Sequence, residues 1–196
     1  MARPADPEKK LEIAREAVAI LQREGVDLSM AALADALSLK RPTLLYHFPT
    51  KADLVQLALI DLLTEQHAFV TEKVAKHTHP IDRLYAHLRA VHAFHAGNEA
   101  RVVFLTQAIA ATAGSELPQI IAAGNAVFEA HRDDTVARLR AGLREGTVAP
   151  CNPEALFACI RALVDGLMVQ RVVTHAPLQA SHEFIWEHVL RPLKKG

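Results

Sequence analysis

The chain is poor in cysteine, with only Cys151 and Cys159 among 196 residues. Two thiols at that spacing build neither a disulfide framework nor a metal motif, and they fit a reducing, cytoplasmic setting. Net charge is missing too, since 22 basic side chains face 22 acidic ones. That balance excludes a uniformly basic nucleic-acid binder but not a local basic patch. No apolar run reaches the ~18 residues that a membrane span needs. The most apolar stretch, 155–173, is broken by Arg161, Asp165, Gln170 and Arg171. The N-terminal MARPADPEKK lacks the apolar core of a signal peptide. There is no Gly-rich phosphate loop, no Ser-His-Asp ordering and no metal-ligand spacing. No enzyme is therefore read, and no catalytic residue, metal or cofactor is expected.

What the chain has is apolar residues, 51% of the total, spaced by three and four. Strand signals are nearly absent, so the class is all-α, with about nine helices. Pro4 and Pro7 mark a loose N-terminal arm. A first helix runs over about 8–24 and stops at Gly25, as a glycine just past a helix end should make it. Ser29 is suited to cap a second helix over about 30–37. After the break Ser38-Leu39-Lys40 a third short helix covers 41–47, with Pro42 in its first turn, where a missing N–H costs little. Thr50 caps a long fourth helix, about 51–76. Further helices are expected over about 80–95, 99–112, 117–144, 154–175 and 181–193.

The stretch SLKRPTLLYHFPTKADLV, 38–55, raises a specific question, because no acidic residue lies between Asp35 and Asp53. It reads either as a polar connection or as part of a helix-turn-helix unit, two short helices joined by a tight turn and braced by a third. In the second reading Lys40, Arg41, Thr43 and Leu44 turn toward base edges. Lys40 and Arg41 reach guanine or phosphate, and Thr43 reaches a base or a thymine methyl. Thr50 and Lys51 open the fourth helix, whose free N–H groups and positive dipole end make a phosphate site. Carboxylates there would face phosphates, which accounts for their absence.

Residues 10–55, AREAVAILQREGVDLSMAALADALSLKRPTLLYHFPTKADLV within them, resemble the DNA-binding domain of TetR-family transcriptional regulators. Leu44, His47, Phe48, Pro49, Lys51 and Leu54 fall in step with the family pattern. Two positions depart from it. Leu45 stands where the family usually carries a phosphate-binding tyrosine, with Tyr46 one place on, and Ser38 stands where it often has glycine. The resemblance implies a helix-turn-helix domain over 1–50, whose DNA contacts would come from Ser29, Lys40, Arg41, Pro42, Thr43, Leu44, Tyr46, His47, Thr50 and Lys51. It implies a larger helical domain over 51–196 for ligand binding and dimerisation.

The family's larger domain usually encloses a ligand among its helices. On the apolar faces here His67, His95 and His131 are the polar intruders, and buried polar groups need partners. With Phe104, Phe128 and Met168 they are the candidate effector contacts, each also readable as core. His92 and His95, three apart, are a weak metal pair. Leu156, Ile160, Leu163, Leu167 and Val173 are read along one side of the eighth helix, and Phe184, Ile185, His188, Val189 and Pro192 on the ninth. Either stripe is core or, as the resemblance implies, half of a four-helix dimer bundle. Two heads so joined require a near-palindromic operator with half-sites ~34–36 Å apart. The expected function is a homodimeric repressor released by a small-molecule effector. The alternatives are a helical small-molecule-binding protein with weak or lost DNA binding and a small helical enzyme.

Overall fold

The computed structural model describes residues 6–112, 114 and 117–195. Among the described residues nine α-helices and no strand occur: α1 (Pro7–Glu24), α2 (Met30–Ala36), α3 (Arg41–His47), α4 (Lys51–Val74), α5 (Pro80–His95), α6 (Glu99–Thr112), α7 (Leu117–Glu145), α8 (Pro153–Thr174) and α9 (Gln179–Ile185). The all-α fold with an N-terminal helix-turn-helix domain is thus established. The arm expected around Pro4 lies outside the described residues.

The boundaries follow local chemistry. Asp6 caps α1 by accepting from the Glu8 amide at 3.1 Å, and Pro7 occupies the first position. Gly25 ends the helix with φ 106°, a conformation in which a Cβ would be strained. Ser29 Oγ accepts from the Ala32 amide at 3.1 Å and starts α2. Before α4 a reciprocal cap forms. Asp53 N–H donates to Thr50 Oγ1 at 3.1 Å, while the Thr50 amide and hydroxyl donate to Asp53 Oδ2 at 2.9 and 2.7 Å.

The α2–α3 turn is a Schellman motif. The Leu39 amide bonds the Ala34 carbonyl at 2.9 Å and the Ser38 amide bonds that of Asp35 at 3.0 Å. The position that such a motif reserves for a left-handed residue is Ser38, at φ 56°. The turn is built as it would be with glycine, at the cost of steric strain on the serine Cβ.

The chain divides into two compact units. The first comprises the described residues up to Thr64 together with Ala100–Asn125, and the second comprises Glu65–Glu99 and the described residues from Ala126 onward. Helices α4 and α7 each continue from the first into the second. In the first unit Ala14, Ala17, Val18 and Leu21 of α1 are buried, as are Leu33 and Ala34 of α2, Leu44 of α3 and Leu54 and Val55 of α4. Lys51 Nζ donates to the Val26 carbonyl at 2.6 Å, tying the start of α4 to the α1–α2 loop. Arg15 and Asp61 join α1 to α4 in a two-bond pair, 2.6 and 2.9 Å.

In the second unit α5 packs on α8 and on the segment after α9. The core there includes Leu84, Leu88, Val91, Leu139, Ile160, Val164 and Leu190. The ninth helix departs from expectation. Only Gln179–Ile185 is regular α-helix, followed by a π-helical turn, Trp186–Leu190, and a short 3-10 turn, Arg191–Leu193. Pro192 supplies the reason, because it has no N–H for the carbonyl of His188 and its ring crowds that carbonyl. The Arg191 amide turns to Trp186 instead.

Replacing Ser38 with glycine should stabilise the protein by roughly 0.5–1 kcal/mol, and Ser38→Val should destabilise it by about as much or more. Urea unfolding midpoints of the three proteins test this, and equal midpoints would remove the strain.

Candidate functional site

Helix α3 presents one face inward and one outward. Leu44 and the residue that closes the helix, Phe48, are both fully buried. They lie four apart and so on one side. Lys40, Arg41, Pro42 and Thr43 are all exposed. A carboxylate-free first turn with two cations and a hydroxyl therefore stands in water, its orientation fixed by the buried pair. Tyr46 is 54% exposed, whereas Leu45 and His47 are half-buried. The Tyr46 and His47 rings meet edge to face at 5.3 Å. His47 Nδ1 is buried with no hydrogen-bond partner among the described residues. Lys10 lies over the Phe48 ring, 5.1 Å from its centre.

Two expectations for the flanks need correction. Thr50 does not offer a free N–H or hydroxyl, because Asp53 already binds both, and the Asp53 carboxylate sits on the positive end of α4. Lys51 is not a free cation either, because Val26 holds its ammonium, though two of its three N–H donors remain. Ser29 is exposed and its oxygen caps α2.

The candidate effector residues separate. Phe104 lies half-buried on α6 in the first unit. In the second unit Met168 is buried, and His95 donates from Nε2 to Gln66 Oε1 at 2.6 Å in a buried pair. His67, Phe128 and His131 come together, and His87 joins them. The His67 ring stands edge-on to Phe128 at 6.0 Å and to His131 at 6.2 Å. His131 stacks on His87 at 4.6 Å, their planes 17° apart. The Arg161 guanidinium lies 5.3 Å from the Phe128 ring centre. Both His87 Nδ1 and His131 Nε2 are buried without a partner among the described residues. Burial foremost, with His131 and Arg161 adding to it, pushes the His87 pKa down to about 3. Burial, then His67, lowers that of His131, against the pull of Asp134. Both rings are neutral near pH 7. The sequence reading missed His87, although it lies three residues from Leu84 and four from Val91, on the face those two define.

His92 does not face His95 across a metal. It stacks on His182, ring centres 5.0 Å apart, with His92 Nδ1 2.7 Å from His182 Nε2. The Val164 carbonyl accepts from His92 Nε2 at 2.9 Å. The neutral His92 is then a bare acceptor at Nδ1, so His182 donates from Nε2. Among the described residues no group of three or more His, Cys, Asp or Glu side chains is placed to hold a metal ion. No described helix is long and apolar enough to cross a membrane.

On α8 the apolar stripe divides differently from the sequence reading. Ile160, Val164, Leu167 and Met168 are buried, while Val173 is 72% exposed. At 100° per residue Val173 stands about 220° round from Ile160, on the opposite side. The outward side carries Ala155, Cys159, Ala162, Gly166, Val169 and Val173, all exposed. Phe184, just after it in the chain, is 61% exposed and packs its ring against His188 at 4.6 Å, whereas Ile185 is buried.

Residues 13–58 match the family model of bacterial regulatory proteins of the tetR family. No curated protein matches the chain. Among solved structures, the ketosteroid transcriptional regulator KstR2 of Mycobacterium tuberculosis is 19% identical with a TM-score of 0.69, covering 100% of both chains. A transcriptional regulator from Saccharomonospora viridis in complex with choline is 18% identical with a TM-score of 0.75, over 97% of this chain and 100% of that one. The regulator FadR from Bacillus subtilis in complex with stearoyl-CoA is 16% identical with a TM-score of 0.74, over 92% and 97%. At such identities the likeness is one of fold.

The neutral burial of His87 sets a pH dependence. Its folded pKa lies below the ordinary 6.5, so between those values the unfolded chain binds a proton that the folded chain refuses. Stability is full above about pH 6.5 and falls as pH drops toward 3. Between pH 7 and pH 4 the wild type should lose roughly 3 kcal/mol more than His87→Phe. Paired denaturant titrations at the two pH values measure the difference, and parallel losses would contradict it.

Proposed function

Because the chain belongs to the tetR family of bacterial regulatory proteins, we propose that it is a homodimeric, operator-binding repressor released by a small-molecule effector. That it is a transcriptional regulator follows from its family and fold; repression, the dimer face and effector release are the finer reading. In that reading residues 1–50 bind DNA and residues 51–196 hold the effector and the dimer contact. The observation that carries it is the outward first turn of α3, where Lys40, Arg41 and Thr43 stand exposed above the buried Leu44 and Phe48. Arg41 and Thr43 read base edges, and Lys40, with the remaining donors of Lys51, neutralises phosphates. Ser29, Pro42, Tyr46, His47 and Thr50 complete the surface as contacts or supports, whereas Leu44, expected among the base contacts, is fully buried and holds the helix from beneath. Tyr46 takes over the phosphate bond that Leu45 cannot make.

The outward stripe of α8 supports the dimer. Alanine and glycine at 155, 162 and 166 let a second helix approach closely, and Val169, Val173 and Phe184 supply apolar area that is otherwise in water. A two-fold through this face pairs the reading heads on a near-palindromic operator.

A protein of the same fold that binds a small molecule but no DNA is the second reading. Leu45, half-buried and without a hydroxyl, is what favours it. Selection of genomic fragments by the purified protein at low salt separates the two, since only the repressor enriches a near-palindrome.

On the selected operator Arg41→Ala should lose about 1–3 kcal/mol and relax preference at one base pair of each half-site. Lys51→Ala should weaken all sequences alike and reduce the salt slope by about 1. It should also lower the unfolding midpoint, because the Val26 carbonyl loses its donor. Anisotropy titrations over a salt series test both, and wild-type binding by both variants would end the assignment. Val169→Asp and Val173→Asp should each yield monomers in sedimentation and weaken operator binding at least tenfold; a dimer that survives both lies elsewhere.

A further inference from the structure

The histidine cluster of the second unit has a chemistry specific enough to name a ligand class, provided that unit is the effector-binding one. His87 is more than nine-tenths buried. Its Nδ1 and the Nε2 of the stacked His131 find no partner among the described residues. Native interiors leave few buried polar atoms unpaired, and two on stacked rings 4.6 Å apart call for a partner. The charges facing this pair come from four helices. His67 contributes from α4, Arg83 and His92 from α5, Asp134 from α7 and Arg161 from α8. Asp134 is already held by Arg138 at 2.8 Å and Arg83 at 3.4 Å. Arg161 uses its Nε on Asp165 at 3.0 Å, and its terminal nitrogens carry no hydrogen bond to any described residue. The balance around the two orphaned nitrogens is one of imidazoles and guanidiniums with their carboxylates already engaged. With both rings neutral, the uncommitted groups there are imidazole nitrogens and the terminal nitrogens of Arg161, which suit an anionic acceptor better than a cation.

We propose that His87, His131 and Arg161 form the anion-receiving end of the effector site, and that the effector is a small organic acid whose carboxylate accepts from the two imidazoles. Phe128, buried and 5.3 Å from the Arg161 guanidinium, is the apolar surface beside that end for the acid's hydrocarbon body. His67, edge-on to both Phe128 and His131, positions the two rings. The carboxylate favours the protonated form of the imidazoles it touches. Binding therefore takes up protons and tightens as pH falls, for as long as the acid stays ionised.

Calorimetry on the full chain tests this with octanoate, 1-octanol and octylamine as probes, alike in chain and different in head. Octanoate should bind, tighter at about pH 6 than at about pH 8, with proton uptake seen as a dependence on buffer ionisation heat. His131→Phe keeps the stacked ring but removes its nitrogens, and Arg161→Met removes the charge. Each should weaken octanoate about tenfold or more and leave octanol unchanged. If His87→Phe fails to fold, these two half-buried positions still carry the test. The proposal is overturned if octanoate does not bind, if octanol or octylamine binds as well, or if neither variant weakens octanoate. Operator binding measured on the same samples separates the two readings. A chain that binds operator but not octanoate remains a regulator with a different effector. One that binds octanoate through His131 and Arg161 but no DNA keeps this site and loses the repressor reading.

Discussion

The burial of Leu44 together with Phe48 is the constraint on which the reading surface depends. Helix α3 has seven residues, too few to be stable by its own hydrogen bonds. It persists because this pair, one turn apart, is removed from water, a gain of roughly 2 kcal/mol for each side chain. Once they point inward, the helical period decides the rest, and Lys40, Arg41 and Thr43 have no choice but to face out. The supports around α3 serve that one orientation. Ser29 begins α2, the Schellman turn at Ser38 ends it and redirects the chain into α3, and Lys51 ties the start of α4 to the loop before α2. Loss of either buried side chain would leave the same cations on a helix with no fixed heading.

Ser38 and Thr50 show what supporting that orientation costs. Serine sits where glycine would relax, and Asp53 occupies the N-terminus of α4, where the sequence left room for a phosphate. Both choices favour a well-defined turn over other uses of the same atoms. The Asp53 carboxylate also changes how the flank would grip DNA. The amide and hydroxyl of Thr50 are taken, so phosphate contact falls to side chains with donors in reserve, Lys51 first among them.

Most element boundaries were legible because they are punctuated locally. Gly25, Ser29, Pro42, Pro80 and Pro153 act through their own backbone or through a partner three residues away, and a linear reading captures such effects. The end of α9 was not legible in this way, because Pro192 disturbs the carbonyl four residues earlier and the helix gives way a full turn before the proline. Helix α8 defeated the face assignment for another reason. Apolar and small residues occur nearly all round it, so the pattern does not say which side meets α5. Ile160 and Val164 turned inward, and the alanines with Gly166, Val169 and Val173 turned out. The histidines were half legible. Spacing places them on apolar faces, but whether an imidazole is satisfied depends on a partner distant in sequence: Gln66 for His95, His182 and Val164 for His92. His87 stood on a face already identified and was passed over beside its neighbour Leu88.

The unpaired imidazoles differ in kind from the strain at Ser38. Strain in a turn is fixed by the backbone and no ligand relieves it. An unpaired buried nitrogen costs about 1–3 kcal/mol, and any partner that enters can recover that. The sum for two, about 2–6 kcal/mol, exceeds the ~1.4 kcal/mol that changes an affinity tenfold. Recovery becomes coupling only if the partner enters one arrangement of the protein better than another, because equal affinity for both shifts nothing. Helix α4 is the physical candidate for distinguishing them. It is unbroken from Lys51 to Val74 and carries Lys51 at its start and Asp61 near its middle, bonded to Val26 and Arg15, and Gln66 and His67 further along, against His95 and His131. A ligand that re-aims His131 must displace or keep the ring of His67, and a helix without a break has few ways to absorb that locally.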